Sequence, residues 1–174
     1  EHTGRAVVFE NAQDLANRID DPDLDVQPED ILVLKNIGPK GAPGMPEAGY
    51  LPIPKKLAKQ GVKDMVRISD GRMSGTAFGT IVLHMTPESA IGGPLAYVQN
   101  GDQIRLSVKN RLIELLISEQ ELAQRISESP VKEPVASRGY LKLFLEEVNQ
   151  ADQGVDFNFL SAPITEKVPK KSND

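Results

Sequence analysis

Between Gly38 and Pro54 the chain carries Gly38, Pro39, Gly41, Pro43, Gly44, Pro46, Gly49, Pro52 and Pro54. Each proline removes an amide donor and locks φ, so neither a helix nor a sheet ladder can run through this stretch. The same prolines restrict the backbone, while the glycines allow turns that other residues resist. The segment therefore predicts a long irregular loop of fixed shape, and loops of that kind often carry function. Whatever the chain folds into must bring regular elements together around it.

Those elements are legible on either side. Residues 6–9 and 31–35 are short apolar runs that predict buried strands, with Asn11 and Asp14 opening a helix that reaches about Ile19 between them. An Asp- and Pro-rich connection covers residues 20–30. After the loop come a short helix over residues 55–60, a strand over 64–69 that runs into a glycine-rich turn, and a strand over 80–84. Thr86, Pro87 and Glu88 read as a helix start, stopped by Gly92, Gly93 and Pro94. Residues 95–98, 103–108 and 112–117 predict three more strands in a meander, with turns at residues 100–102 and 109–111. Ser118 and Glu121 form a capping box for a helix to about Ile126, and residues 140–150 have helical spacing. The expected fold class is α/β: many short strands with flanking helices, the strands forming a barrel-like mixed sheet or a two-layer arrangement. One domain spans residues 1–164 and a polar tail spans 165–174.

Composition narrows the function. The 174 residues have a formal charge of −5 and no cysteine. A net negative chain is poorly suited to nucleic acid or anionic lipid, and no apolar run approaches the length that crosses a bilayer. Soluble and cytoplasmic is the expectation. Without cysteine the chain can form neither a disulfide, nor a thiol nucleophile, nor an iron–sulfur site of its own. The two histidines, His2 and His84, are too few for a typical zinc site. The first residue is Glu1 rather than Met, as in a chain cut from something longer or processed.

Two segments could carry chemistry. In Ser69-Asp-Gly-Arg-Met-Ser-Gly-Thr76 the glycines permit close approach to a ligand, and Ser74 and Thr76 place two hydroxyls beside backbone amides. That pattern suits an oxyanion site, and it equally suits a tight turn closed by its own hydroxyls. It is not the G-x-S-x-G elbow of a hydrolase. In the loop, Glu47 is a carboxylate on a restricted backbone, the kind of group that holds Mg²⁺ with help from water or substrate. A loop glutamate is also commonly just solvated. His84 reads as a structural histidine, Lys55, Lys56 and Lys59 as a solvated helix face, and Phe9, Phe144, Phe157 and Phe159 as core anchors.

Taken in order, six runs resemble the dihydroxyacid dehydratase and sugar-acid (aldonate, phosphogluconate) dehydratase family, in its carboxy-terminal domain. They are Gly4 to Glu10, Gly38 to Glu47, Ser69 to Thr76, His84 to Glu88, Gly92 to Pro94, and Gly101 with Asp102. The run Gly79 to His84 and the ending Gln150 to Leu160 look more like the pentonate and hexonate dehydratases than the branched-chain amino-acid enzyme. The resemblance spans most of the chain.

It implies a swivelling β/β/α domain like the mobile domain of aconitases, and it assigns roles. Ser74 would be the general base that removes the C2 proton of the substrate, with Gly75 and Thr76 positioning that substrate and Glu47 in the Mg²⁺ shell. The reaction would be that of a hydro-lyase, dehydrating a sugar acid or 2,3-dihydroxy acid to a 2-keto-3-deoxy acid. An iron–sulfur cluster, [2Fe-2S] or [4Fe-4S], would be held by an amino-terminal domain absent here, so the isolated chain is expected to be inactive. That domain, the small-molecule acid and further copies in a homo-oligomer are the expected partners. The alternative is a non-enzymatic ligand-binding or regulatory module on the same fold.

Overall fold

The computed structural model describes residues 1–44, 51–74 and 78–161. Its centre is one six-stranded mixed sheet of order β4-β3-β2-β1-β5-β6. The strands are β1 (His2–Phe9), β2 (Ile31–Leu34), β3 (Val66–Ser69), β4 (Ile81–Val82), β5 (Gln103–Ser107) and β6 (Leu112–Leu115). Strands β1 to β4 run parallel, with Ala6 opposite Ile31 and Ile31 opposite Val66. The first half of β1 pairs antiparallel with β5, which forms a hairpin with β6. β1 is thus the seam between a parallel half and an antiparallel half, and the architecture is the expected α/β mixed sheet.

Alternation along the strands divides the interior into two layers. Val7, Phe9, Leu32 and Leu34 point to one face, where they meet Leu15 of α1 (Ala12–Arg18) and Leu57 of α2 (Lys55–Lys59). Ala6, Val8, Ile31, Val33, Val66 and Ile68 point to the other, against Leu95, Val98, Ile104 and Leu106. With both faces covered, β2 is buried throughout and reads as an unbroken apolar run, as central parallel strands do. The sheet also curls. Ile68 of β3 and Ile113 and Leu115 of β6 line one apolar groove of about 240 Å³, although three strands separate β3 from β6 in the sheet.

The caps behave as expected where the argument was local. The Asn11 side chain accepts from the Asp14 amide at 2.9 Å, and Ser118 accepts from the Glu121 amide at 3.1 Å to open α3 (Glu119–Glu128). The last helix, α4, is Gly139–Glu147.

Three expectations fail for identifiable reasons. Residues 95–98 do not form a strand: Pro94–Tyr97 is a 3-10 turn with proline at its first position. Proline there cannot donate to a ladder but suits a helical start, and Leu95 and Val98 bury their side chains without strand pairing. The meander is therefore a two-strand hairpin. Residues 86–88 do not cap a helix in the expected way either. The Thr86 hydroxyl donates to the His84 carbonyl, the 3-10 turn begins at Ser89, and the Glu88 carboxylate is buried. Finally, Phe159 is exposed and not a core anchor, whereas Phe9 and Phe144 are buried. The expected tail from residue 165 lies outside the described residues. Among the described residues no helix is long and apolar enough to cross a membrane.

Candidate active site

Parallel strands deliver their loops to one edge, and in open α/β sheets ligands bind beyond the carboxyl ends of the strands. Here that edge receives the loop after β2, the turn after β3 and the segment after β4. Ser74 lies in the turn after β3 and is half-buried. Glu47, Gly75 and Thr76 lie outside the described residues, so their expected roles rest on the segments that lead into and out of them. Those segments are held by three charged side chains taken out of water.

Asp70, fully buried, follows β3 directly. Its carboxylate accepts from the amides of Asn36 at 3.2 Å and Ile37 at 3.0 Å, where the Gly/Pro loop begins, and from the Ser89 amide at 2.9 Å. Glu88, also fully buried, accepts from the amides of Lys40 at 3.0 Å and Gly41 at 2.9 Å and from the Gln150 side chain at 2.7 Å. The Glu88 amide in turn donates to the Gln150 side-chain oxygen at 2.9 Å. Two glycines are needed for this closeness. A Cβ at Gly38 would lie 2.7 Å from a Glu88 carboxylate oxygen, and one at Gly71 would lie 2.2 Å from the Ile37 side chain.

Arg67 closes the far ends. Its guanidinium is buried within β3 and donates to the Leu51 carbonyl at 3.2 Å, where the Gly/Pro loop is leaving, and to the Phe78 carbonyl at 2.8 Å, where the serine-bearing turn is leaving. It also reaches the Met65 carbonyl at 3.2 Å and Asp64 at 3.0 Å. Asp64 completes the clamp by accepting from the Thr80 hydroxyl at 2.8 Å and from the amides of Thr80 and Met65. Partial burial acts to raise the Asp64 pKa, but the Thr80 hydroxyl, the two amides and the Arg67 charge outweigh it and hold the carboxyl below its ordinary value of 3.8. The entry and exit of both segments are thereby tied to one another.

His84, read as a structural histidine, is joined to its neighbours through its backbone. It is exposed, with φ of 58°, a left-handed conformation that histidine tolerates better than most residues. Its amide donates to the Gly71 carbonyl at 3.1 Å, which joins the segment after β4 to the serine-bearing turn. Lys55 pairs with Asp20 and Lys56 donates to the Pro22 and Leu24 carbonyls, so the lysine face does more than meet water. A separate cleft of about 640 Å³ is lined by Glu10, Lys35, Asn36, Ser89 and Lys132 among others, and Ser74 is not among its lining residues. Its two most buried cations are already engaged, Lys35 with Glu10 at 3.1 Å and Arg125 with Asp102 at 2.6 Å. Among the described residues no group of three or more His, Asp or Glu side chains could hold a metal ion.

Residues 1–155 match the family described as dihydroxy-acid/6-phosphogluconate dehydratase C-terminal. The chain belongs to that family. Its relatives include an L-arabinonate dehydratase from Rhizobium leguminosarum bv. trifolii, 50% identical over 172 residues, covering 99% of this chain and 30% of the relative. A 6-deoxy-6-sulfo-D-gluconate dehydratase from Pseudomonas putida is 48% identical over 161 residues, 92% of this chain and 28% of that protein. A dihydroxy-acid dehydratase from Carboxydothermus hydrogenoformans is 38% identical over 157 residues, 90% of this chain and 28% of that protein. The chain therefore spans about 30% of the length of the curated relatives it matches.

Arg67, Asp70 and Glu88 were the residues that sequence reasoning did not single out. Their signal was present: an arginine inside an otherwise apolar strand, and acids at positions where the chain must be buried. Replacing Asp70 by Ala leaves the buried amides of Ile37 and Ser89 without this partner, at about 1–3 kcal/mol for each, and the half-buried Asn36 amide as well. Asp70→Ala should therefore lower the thermal midpoint by many degrees, and Asp70→Asn, which keeps one acceptor oxygen, by less. The Asp64 clamp has a pH signature. Its contribution is complete above the unfolded-state value near 3.8 and is lost as pH falls through the lower folded value. The protection of the Thr80 amide against hydrogen exchange, taken relative to the intrinsic rate at each pH, should fall under acid in the native protein and be absent at every pH in Asp64→Ala.

Proposed function

We propose that this chain is the carboxy-terminal, base-bearing part of a magnesium-dependent iron–sulfur hydro-lyase that dehydrates a sugar acid or related 2,3-dihydroxy acid to a 2-keto-3-deoxy acid. Ser74 Oγ takes the C2 proton of the substrate, hydroxide leaves C3, and the resulting enol ketonises, so that one water is lost overall. Thr76 and the Gly75 backbone position the substrate beside Ser74, and Glu47 contributes one carboxylate to Mg²⁺.

The observation that carries the reading is the Arg67 clamp. The loop that contains Glu47 and the turn that contains Ser74 leave through Leu51 and Phe78, and both carbonyls are held by one buried guanidinium. A base and a metal ligand that must act on one small substrate need this kind of mutual fixing, because misplacement of about 1 Å can cost on the order of a hundredfold in rate. The names of the relatives, all dehydratases of hydroxy acids, support the reaction class.

When bound, magnesium supplies charge neutralisation at the substrate carboxylate and C2 oxygen. An unassisted serine hydroxyl is too weakly acidic to act as a base near neutral pH, so Ser74 needs neighbouring positive charge and aligned donors. This chain has no cysteine and cannot itself hold a cluster. On this reading the cluster and the remaining magnesium ligands belong to residues beyond these 174, and the chain alone is inactive.

In the full-length enzyme, Ser74→Ala should reduce turnover by about 10²–10⁴-fold while the cluster absorbance and the thermal midpoint stay unchanged. Normal turnover in that variant would remove Ser74 from the mechanism. Glu47→Gln should move the magnesium titration of activity to higher concentration, and an unchanged titration would refute the ligand role.

A further inference from the structure

The carboxyl-terminal third carries more apolar surface than a solvated face needs. On α4, Tyr140 is 70% and Leu143 41% exposed, and Phe159 beyond it is 61% exposed. They form one patch. Tyr140 and Leu143 share a helix face by their spacing, the Tyr140 ring packs 6.4 Å from both Phe144 and Phe157, and Phe157 stacks on Phe159 at 5.5 Å. Contiguous exposed aromatic surface of this kind marks an interaction site. The rings are held in place before anything binds: Val148 bridges to Phe157, and the Asn149 side chain accepts from the Asp156 amide at 2.7 Å. Lys142 and Glu146, paired at 3.6 Å and both exposed, provide a charged border. An apolar centre with a polar rim is the anatomy of an interface.

We propose that this face of α4, with Phe157 and Phe159, seats the metal-bearing part of the dehydratase polypeptide, which lies outside these 174 residues. The inference rests on the reading of the chain as the carboxy-terminal part of that enzyme. Two observations favour this occupant over a second copy of the same face. The relatives are more than three times as long as the matched region, so in such a protein most of the polypeptide lies outside it and is available to cover this face. The patch is also wired to the site. Gln150, two residues after the bridge at Val148, exchanges hydrogen bonds with Glu88, which grips Lys40 and Gly41 at the start of the loop that contains Glu47. Lys40 is further tied to Glu133 at 3.3 Å, just ahead of α4. Phe78, 73% exposed, presents a second apolar side chain at the exit of the serine-bearing turn. A body seated on α4 therefore borders the edge where it must deliver its metals.

The test places the photo-cross-linking residue p-benzoyl-phenylalanine at position 140, and separately at position 159, in the full-length dehydratase. After irradiation, the linked peptides are identified by mass spectrometry. Linkage from both positions to peptides outside residues 1–174 is the expected result. Linkage to the same face of a second polypeptide, linkage to residues 162–174, or no linkage at either position overturns the proposal. The readout needs no turnover, so it separates from the assignment of the base. Cross-links to the outer region together with a fully active Ser74→Ala enzyme would keep the surface and discard the serine mechanism.

Discussion

The edge of this domain is organised by a guanidinium that has been taken out of water. Arg67 sits on a central strand where an aliphatic residue would pack more easily, and burying a charge is unfavourable unless it is fully engaged. Among the described residues its donors reach three backbone carbonyls and one carboxylate, drawn from the residues just before its own strand and from two loops. A buried arginine cannot escape by deprotonation, so the loops must come to it. The cost of burying Arg67 is offset by its bonds to the Leu51 and Phe78 carbonyls, which fix the chain where it leaves the two loops.

Asp70 and Glu88 repeat the principle with the opposite sign. Irregular loops leave amides that no ladder satisfies, and a buried carboxylate accepting two or three of them supplies what a strand partner would. The Gly/Pro loop enters under these carboxylates and leaves over Arg67. Glycines at 38 and 71 have little freedom to become anything else, since their added Cβ atoms would collide with Glu88 and Ile37. What looks in the sequence like a stretch without structure is a backbone held at both ends by charge.

Legibility followed range. β1, β2, β3, α1 and α3 were readable because each is set by a short apolar run or by a cap whose partners are within four residues, such as Asn11 with Asp14 and Ser118 with Glu121. Residues 95–98 misled because their apolar pattern is that of a buried strand, while Pro94 had already committed the backbone to a helical turn. Phe159 misled because its apolar character was assigned to this domain's own core, whereas the structure leaves the ring on the surface. Ser74, Thr76, Gly75 and Glu47 were put forward as site residues from glycine-rich context and the family resemblance. The residues that fix their segments were not, because pairs such as Asp70 with Ile37, Glu88 with Gly41 and Arg67 with Leu51 are joined only by the tertiary fold.

The same accounting explains why a serine base would need a partner. A hydroxyl ionises only where positive charge and donors are directed at it, and three largely buried cations of this domain, Arg67, Lys35 and Arg125, hold carbonyls and carboxylates. Arg67 gives its donors to carbonyls and to Asp64, Lys35 to Glu10 and the Ala96 carbonyl, and Arg125 to Asp102, Glu121 and the Tyr97 carbonyl. Each is engaged in holding backbone in place. Among the described residues, the domain uses these charges to fix geometry. On the proposed reading, the positive charge that a serine base needs would come from a separate body seated on the aromatic face beside that edge.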